Sequence, residues 1–290
     1  MSKTINQAKE EYLESYNRSL ELWPIPYSDY YVSTSFGETF IIECGKKSAP
    51  PLILLHGASM SSTMWYSNVA QWSESYRIFT VDIIGDKNKS VPKKEFTNRK
   101  DHAAWLSEVL DALQVADADF VGLSFGALNL VNFLIYAPER VKKAVLMSPA
   151  EGFVSFDPQF YSYAFGMVGN KEGVDAFLDW VLGGRYELAS PIRDQLTAGM
   201  MWIDTARSSK PGSSGFPYVY SNEELSQIIT PSLLLLGENE VMYNPQEALE
   251  RAVTTVPGIK AEIIERAGHL LSMERPELVT EIVLQFLKEG

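Results

Sequence analysis

Residues 118–130 read ADFVGLSFGALNL, and this stretch decides the fold. The mostly apolar run 118–123 predicts a buried strand, and the apolar stretch that starts at Phe125 predicts a helix. Between them, GLSFG at residues 122–126 places Ser124 on a tight strand-to-helix turn. A serine there has strained backbone dihedrals, and side chains two residues before or after it would collide with the turned backbone, so glycine fits both positions. The turn is expected to lift the Ser124 hydroxyl out of the sheet at a helix N-terminus, where N–H groups favour negative charge.

The alternation of short apolar strands with longer helical stretches continues on both sides of this turn. Strands are predicted at residues 51–56, 76–83, 118–123, 142–148, 232–237 and 261–265, and helices at about 100–115, 125–136, 246–256 and 276–288. Near-continuous apolar strands separated by helices are typical of a parallel sheet covered on both faces. Two β-rich runs, 29–35 and 39–44, predict a hairpin before that sheet.

Two segments depart from this alternation. Residues 5–23 carry apolar side chains three or four positions apart and predict an amphipathic helix, so residues 1–28 are assigned as an N-terminal helical extension. Residues 150–225 are rich in aromatic side chains and far longer than a connection between strands needs, which predicts a helical cap subdomain. The α/β core then comprises residues 29–149 and 226–290.

The composition excludes several classes of partner and cofactor. Among 290 residues, 25 Lys and Arg against 37 Asp and Glu give a net charge of −12, which disfavours nucleic acid and anionic membranes. The single cysteine, Cys44, cannot form an internal disulfide, and three histidines leave little room for a metal centre, so no metal or cofactor is expected. No secretion signal or membrane span is evident, which predicts a soluble cytoplasmic protein.

A serine nucleophile needs a neutral imidazole to take its proton, and the chain offers three candidates. His56 directly follows a predicted strand, where its backbone is more useful than its ring. His102 lies in an acidic and apolar helix and is interpreted as structural. His269 lies in a loop after the final strand and is therefore predicted to be the general base.

The third member of the site must be an acid that orients the imidazole. Residues 237–240 read GENE and follow a predicted strand, between Ser124 and His269 in the chain. Spacing past the turn and the order Ser, Glu, His favour Glu240, with Glu238 as the alternative. Glu151, after the preceding strand, is a more distant third candidate.

Acyl transfer also creates an oxyanion that needs two N–H donors. The backbone amide of Phe125, next to the nucleophile, is one predicted donor. The strand-to-loop turn HGAS at residues 56–59 is expected to supply the other, through the backbone amide of Ala58.

Taken in chain order, five motifs resemble the α/β-hydrolase superfamily. They are HG at 56–57, DIIGD at 82–86, GLSFG at 122–126, GENE at 237–240 and GH at 268–269. Within that superfamily, the chain resembles bacterial carboxylesterases of the naproxen esterase type. That narrower match is carried by SSTMWY at 61–66, VDIIGDKNKS at 81–90, GFPYVY at 215–220 and HLLSME at 269–274, in both core and cap.

The resemblance implies an eight-stranded, mostly parallel sheet with a helical cap, and hydrolysis of carboxylic esters through an acyl-serine intermediate. By position it makes Ser124 the nucleophile, Glu240 the acid and His269 the base. Two departures stand out. Glu240 replaces the commoner Asp, and residues 85–90, GDKNKS, lack the usual glycine-rich form, for which the sequence offers no mechanistic account.

The expected partner is a small-molecule ester, and the sequence is compatible with a homo-oligomer. The aromatic, methionine-bearing cap and the lack of a cationic cluster at the predicted strand ends favour neutral, hydrophobic or aryl esters. Carbon–carbon bond hydrolysis, acyl transfer or perhydrolysis on the same three residues is the alternative activity. A slow-turnover ligand-binding or signalling protein is the alternative from another class.

Overall fold

A computed structural model describes residues 5–167, 170–202 and 214–289, and a mixed sheet runs through the middle of the molecule. Its strands are β1 (Tyr27–Thr34), β2 (Gly37–Cys44), β3 (Pro51–Leu55), β4 (Arg77–Val81), β5 (Val91–Pro92), β6 (Ala118–Leu123), β7 (Val141–Met147), β8 (Ser232–Gly237) and β9 (Lys260–Ile264).

The strand order is β1-β2-β4-β3-β6-β7-β8-β9. From β4 to β9 each neighbouring pair is parallel, whereas β1–β2 and β2–β4 are antiparallel. The predicted hairpin and the mostly parallel sheet are thus confirmed. The expected count of eight strands needs a correction: among the described residues there is a ninth, the two-residue β5, which pairs with the start of β2.

Helices flank this sheet. They are α1 (Ile5–Leu20), α2 (Val69–Trp72), α3 (Arg99–Ala112), α4 (Phe125–Tyr136), α5 (Pro158–Gly166), α6 (Lys171–Leu182), α7 (Ser190–Met201), α8 (Asn222–Leu225), α9 (Pro245–Thr255), α10 (Leu271–Glu274) and α11 (Pro276–Lys288). The four core helices predicted from periodicity are α3, α4, α9 and α11. Within the described residues, no helix is long and apolar enough to cross a membrane.

The central strands β6 and β8 are buried at every position, which explains why they are mostly apolar; Asp119 in β6 and Ser232 in β8 are the polar exceptions. Strand β4 ends at Val81, two residues earlier than predicted. The reason is local, because the backbone N–H of Ile83 donates to the His56 ring instead of to a neighbouring strand. Because β3, β4, β6, β7 and β8 run parallel, their carboxyl ends lie at the same edge of the sheet.

Helix α1 packs on loops at this edge and on helix α7. Its Tyr12 side chain is fully buried, and the hydroxyl donates to the carbonyl oxygen of Lys87. The same hydroxyl accepts a hydrogen bond from Gln195 of α7, at 3.2 Å. The helix predicted over residues 5–23 therefore exists, ends at Leu20 and connects two other parts of the molecule.

Residues 150–225, predicted as the cap, contain helices α5 to α8. Residues 168–169 and 203–213 of this range lie outside those described. Aromatic pairs hold the first two helices together: the rings of Tyr163 and Trp180 stack at a centroid distance of 4.6 Å, and Phe160 contacts Phe177 at 6.5 Å. The division into extension, core and cap stays a prediction.

Candidate active site

Ser124 lies at the junction of β6 and α4 with φ 54° and ψ −114°, in the left-handed half of backbone space. The flanking glycines are required by close packing. A Cβ on Gly122 would lie 2.7 Å from the carbonyl carbon of Gly126, and one on Gly126 would lie 2.1 Å from the carbonyl oxygen of Leu55. The strained turn predicted from the sequence is therefore present, and it brings Ser124 to the wall of a cavity.

His269 lines the same cavity, and its Nδ1 lies 2.6 Å from Oε2 of Glu240. The other carboxylate oxygen, Oε1, accepts the N–H groups of Val241 and Met242, each at 2.9 Å. Both oxygens of the Glu240 carboxylate are thus hydrogen-bonded, and the Glu240 side chain is completely buried. An imidazole that donates from Nδ1 keeps Nε2 as an acceptor. In the described part of the chain, Nε2 of His269 has no hydrogen-bond partner.

The other two candidate acids face elsewhere. Glu238 is exposed and accepts the backbone N–H of Arg266 at 2.9 Å. Glu151 accepts the hydroxyl of Tyr161 at 3.3 Å, and burial raises the pKa of its carboxyl. The structure therefore brings Glu240, and not these two residues, to His269.

The two predicted oxyanion donors also line this cavity. They belong to Ala58 and to Phe125, the residue that follows Ser124. Among the described residues, neither amide has a hydrogen-bond acceptor. Residues 56–60 are called the oxyanion loop below. Two N–H donors without a partner are what a tetrahedral oxyanion needs.

The oxyanion loop is held by a histidine ring and a carboxylate. Nδ1 of His56 lies 2.8 Å from the Gly57 carbonyl oxygen, and its Nε2 accepts the N–H of Ile83 at 2.9 Å. The ring thus stabilises the loop, although the backbone of His56 was expected to be more useful than its ring. Asp86 accepts the N–H of Ser59 at 2.9 Å and that of Lys87 at 2.7 Å.

Asp86 belongs to the DIIGD motif, but the sequence reasoning assigned it no role in holding the oxyanion loop. It lies in the unusual stretch at 85–90, and its contact explains one feature of that stretch, because a carboxylate can hold the turn after Ala58. Burial raises the pKa of the Asp86 carboxyl, and attraction to His56 and the two N–H groups oppose that rise. In the sequence, the departure of residues 85–90 from the usual glycine-rich form was the feature that pointed to this loop.

His102 has the surroundings of a structural residue. Its Nδ1 lies 3.0 Å from the side-chain oxygen of Asn129, and its ring packs on Phe96 and Phe216 at centroid distances of 4.0 and 4.4 Å. Burial lowers the pKa of His102 to about 4, so the ring is neutral at physiological pH. It is not among the residues that line the cavity of Ser124.

The cavity beside Ser124 has a volume of about 370 Å³ and an apolar wall. Helices α5, α6 and α7 supply much of that wall, through Phe160, Phe177, Leu178, Val181, Leu196 and Met200. No Lys or Arg is among the lining residues that the structure describes. The site can therefore accept an uncharged apolar group next to a serine, an imidazole and two free amides.

Comparison with known proteins gives a consistent result. The sequence profile described as alpha/beta hydrolase fold matches residues 50–202. Carboxylesterase YbfK of Bacillus subtilis (strain 168) is 50% identical over 279 residues, which cover 96% of this chain and 94% of that protein. The uncharacterized carboxylesterase nap of the same organism is 50% identical over 275 residues, covering 95% and 91%.

Solved structures show the same similarity in three dimensions. Carboxylesterase CesB (YbfK) from B. subtilis superimposes with a TM-score of 0.95 at 48% identity, covering 98% of this chain and 99% of that one. Naproxen esterase (carboxylesterase NP) from B. subtilis superimposes with a TM-score of 0.93 at 49% identity, covering 96% and 98%.

Proposed function

Because the chain belongs to the α/β-hydrolase fold family and is a carboxylesterase, we propose that Ser124, Glu240 and His269 form its catalytic triad. The family resemblance predicted from the sequence is confirmed. One observation carries the assignment of the residues: a buried imidazole held by Glu240 at 2.6 Å lines the same cavity as a serine on a strained turn.

In the acylation step, Nε2 of His269 takes the proton from Ser124 as Oγ attacks the ester carbonyl carbon. The negative charge that develops on the carbonyl oxygen is stabilised by the amides of Ala58 and Phe125. Collapse of this intermediate breaks the bond to the alcohol oxygen, which receives the proton from His269. The alcohol leaves, and the acyl group stays on Ser124.

Deacylation repeats the sequence with water. His269 takes a proton from the water molecule, whose oxygen attacks the acyl carbon, and the same two amides bind the oxyanion. The Ser124 oxygen then leaves with the proton from His269, and the carboxylic acid is released. Glu240 stabilises the imidazolium in both steps and fixes the ring orientation.

We assign neutral esters with a hydrophobic or aryl group as the substrate class. The apolar wall from α5, α6 and α7 supports this assignment, because it offers burial to an apolar group and no cation to a carboxylate or phosphate. The homologous proteins are themselves named as carboxylesterases, one of them as naproxen esterase. The cytoplasmic location and the homo-oligomer stay predictions from the sequence.

The test is Ser124→Ala against Ser226→Ala, an exposed serine after helix α8. Hydrolysis of an aryl butyrate should fall by about 10⁴-fold or more in Ser124→Ala, because the nucleophile is lost. A fluorophosphonate probe should label the wild type and Ser226→Ala but not Ser124→Ala. Circular dichroism of all three proteins serves as the folding control. Ester turnover that persists in a folded Ser124→Ala protein would refute the assignment.

A further inference from the structure

The loop that carries His269 rests on a second buried carboxylate, that of Glu274 at the end of α10. Its Oε2 accepts the backbone N–H of Gly268 at 2.9 Å, and its Oε1 accepts that of Leu270 at 3.2 Å. One side chain thus binds the amides immediately before and after His269. The Glu274 side chain is only 1% exposed. Residues 267–270 are called the histidine loop below.

Helix capping accounts for only one of these two contacts. Leu270 precedes the first residue of α10, so its N–H is one that a helix start leaves without a partner. Gly268 lies outside the helix, and its bond serves the loop alone. Burying a carboxylate is unfavourable unless it is well hydrogen-bonded, and burial raises the pKa of Glu274 while the bond from Gly268 opposes that rise. The two hydrogen bonds to Glu274 restrain the backbone of the histidine loop.

The cap region supplies the cation closest to this carboxylate. Nε of Arg185, which follows helix α6, lies 3.7 Å from Oε2 of Glu274. A Cβ on Gly268 would lie 2.5 Å from Nη2 of Arg185 and 3.1 Å from Oε1 of Glu274. Glycine at position 268 therefore lets both side chains reach the backbone beside His269.

We propose that Glu274 is a positioning residue for His269. We further propose that Arg185 makes this positioning depend on how the cap packs against the core. This inference rests on the proposed role of His269 as the base. The triad acid Glu240 sets the direction of the ring, whereas Glu274 fixes the backbone from which the ring extends. Small displacements of a base from its nucleophile cost up to about 100-fold in rate, so a backbone restraint at this position has catalytic value.

The first experiment is Glu274→Gln with Glu277→Gln as the matched control. Glu277 is exposed, three residues further along in α11. The glutamine oxygen can accept one of the two N–H groups, and its NH₂ group faces the other. For an aryl butyrate, kcat should fall by about tenfold to 100-fold with little change in KM, because the base is misplaced and the binding wall is untouched. Glu274→Asp, which keeps the charge, should recover part of the loss.

The pH profile separates positioning from general destabilisation. The titratable and charged groups around Glu274 are Arg185 and Tyr186 of the cap and His269, which also contacts Glu240. Glu238, Arg266 and Arg275 line the same surface cavity as Glu274. Removing the negative charge makes protonation of the imidazole less favourable, so the acid limb of kcat should move to lower pH in Glu274→Gln. Arg185→Met removes a positive charge, should lower kcat by about threefold, and should move the acid limb to higher pH.

Opposite shifts of the acid limb in the two variants support the proposal, since loss of packing alone would not reverse its sign. Wild-type kcat and an unshifted acid limb in Glu274→Gln would overturn it. If Glu274→Gln does not fold, Arg185→Met decides by itself, and an unchanged acid limb there would overturn the proposal. Ser124→Ala is measured in parallel. Turnover that persists in it points to failure of the triad assignment, whereas its loss with a normal Glu274→Gln refutes only the positioning role.

Discussion

The oxyanion loop and the histidine loop both line the cavity of Ser124 and are held by the same kind of contact. In each, a carboxylate from a later part of the chain accepts a backbone N–H: Asp86 binds Ser59 at 2.9 Å, and Glu274 binds Gly268 at 2.9 Å. Each loop also contains a glycine next to the proposed catalytic residue. Neither loop belongs to a strand, so each needs a restraint that the sheet does not provide.

The difference between the loops lies in what each one must present. The oxyanion loop presents a backbone amide, that of Ala58, and fixing the backbone is sufficient. The histidine loop presents a side chain, which can rotate even on a rigid backbone, and it therefore needs Glu240 in addition to Glu274. A site that moves protons requires restraint at two levels, whereas a site that binds charge through the backbone requires one.

The largest expected effect comes from removing the side-chain restraint. Glu240→Gln should lower kcat by about 10³- to 10⁴-fold, because the amide can favour the wrong tautomer and no longer stabilises the imidazolium. Glu238→Gln is the matched control, because this residue binds the Arg266 amide instead of the imidazole. Steady-state kinetics on an aryl ester measure the loss of kcat in both variants. A larger loss in Glu238→Gln would reverse the assignment of the acid.

A smaller effect is expected from releasing the oxyanion loop. Asp86→Ala removes the acceptor of the Ser59 N–H, so the Ala58 amide loses its alignment without being deleted. We expect kcat to fall by about tenfold to 100-fold, less than or equal to the loss of a complete oxyanion donor. Glu95→Gln, an exposed acid on a neighbouring loop, should have wild-type kcat. Equal kcat values in the wild type, Asp86→Ala and Glu95→Gln would show that the oxyanion loop needs no carboxylate to hold it.

The smallest effect on catalysis is expected at Asp119, a buried carboxylate in β6 that holds neither loop. Burial raises its pKa to about 6, with Lys143 and Lys142 opposing the rise. Because the folded-state pKa exceeds the unfolded value of about 3.9, ionised Asp119 destabilises the fold, an effect that is absent below about pH 4 and complete above pH 6.

Asp119→Asn should therefore raise the free energy of unfolding above pH 7 by up to about 3 kcal/mol, with no gain at pH 4 and unchanged kcat. Thermal unfolding of both proteins at pH 4 and pH 8 measures this difference. A gain of equal size at both pH values would contradict the electrostatic cause.

The sequence was most informative where function depends on local geometry. Ser124 was predictable because GLSFG at 122–126 marks a tight strand-to-helix turn, in which a Cβ on Gly122 would collide with the backbone of Gly126. His269 was predictable because only three histidines exist. The choice between Glu240 and Glu238 depended on turn direction, which sequence spacing favoured but did not determine. The contact at 2.6 Å between Glu240 and His269 needed three-dimensional coordinates.

The contacts that hold the loops were out of reach for the sequence reasoning. Asp86 and Ser59 are 27 residues apart, and Arg185 and Glu274 are 89 apart, with no periodic pattern to link them. The ring of His56 was underrated for the same reason, since its acceptor role depends on Ile83 of another loop. The two-residue strand β5 is too short to produce an alternating pattern.

Helix α1 has a practical consequence for anyone who shortens or tags this protein. Tyr12 shares its hydroxyl between the Lys87 carbonyl, directly after Asp86, and Gln195 of α7. Deleting the helix as far as Tyr12 would leave polar groups at the edge of the active site without that partner. A shortened variant should therefore keep the amino-terminal helix whole.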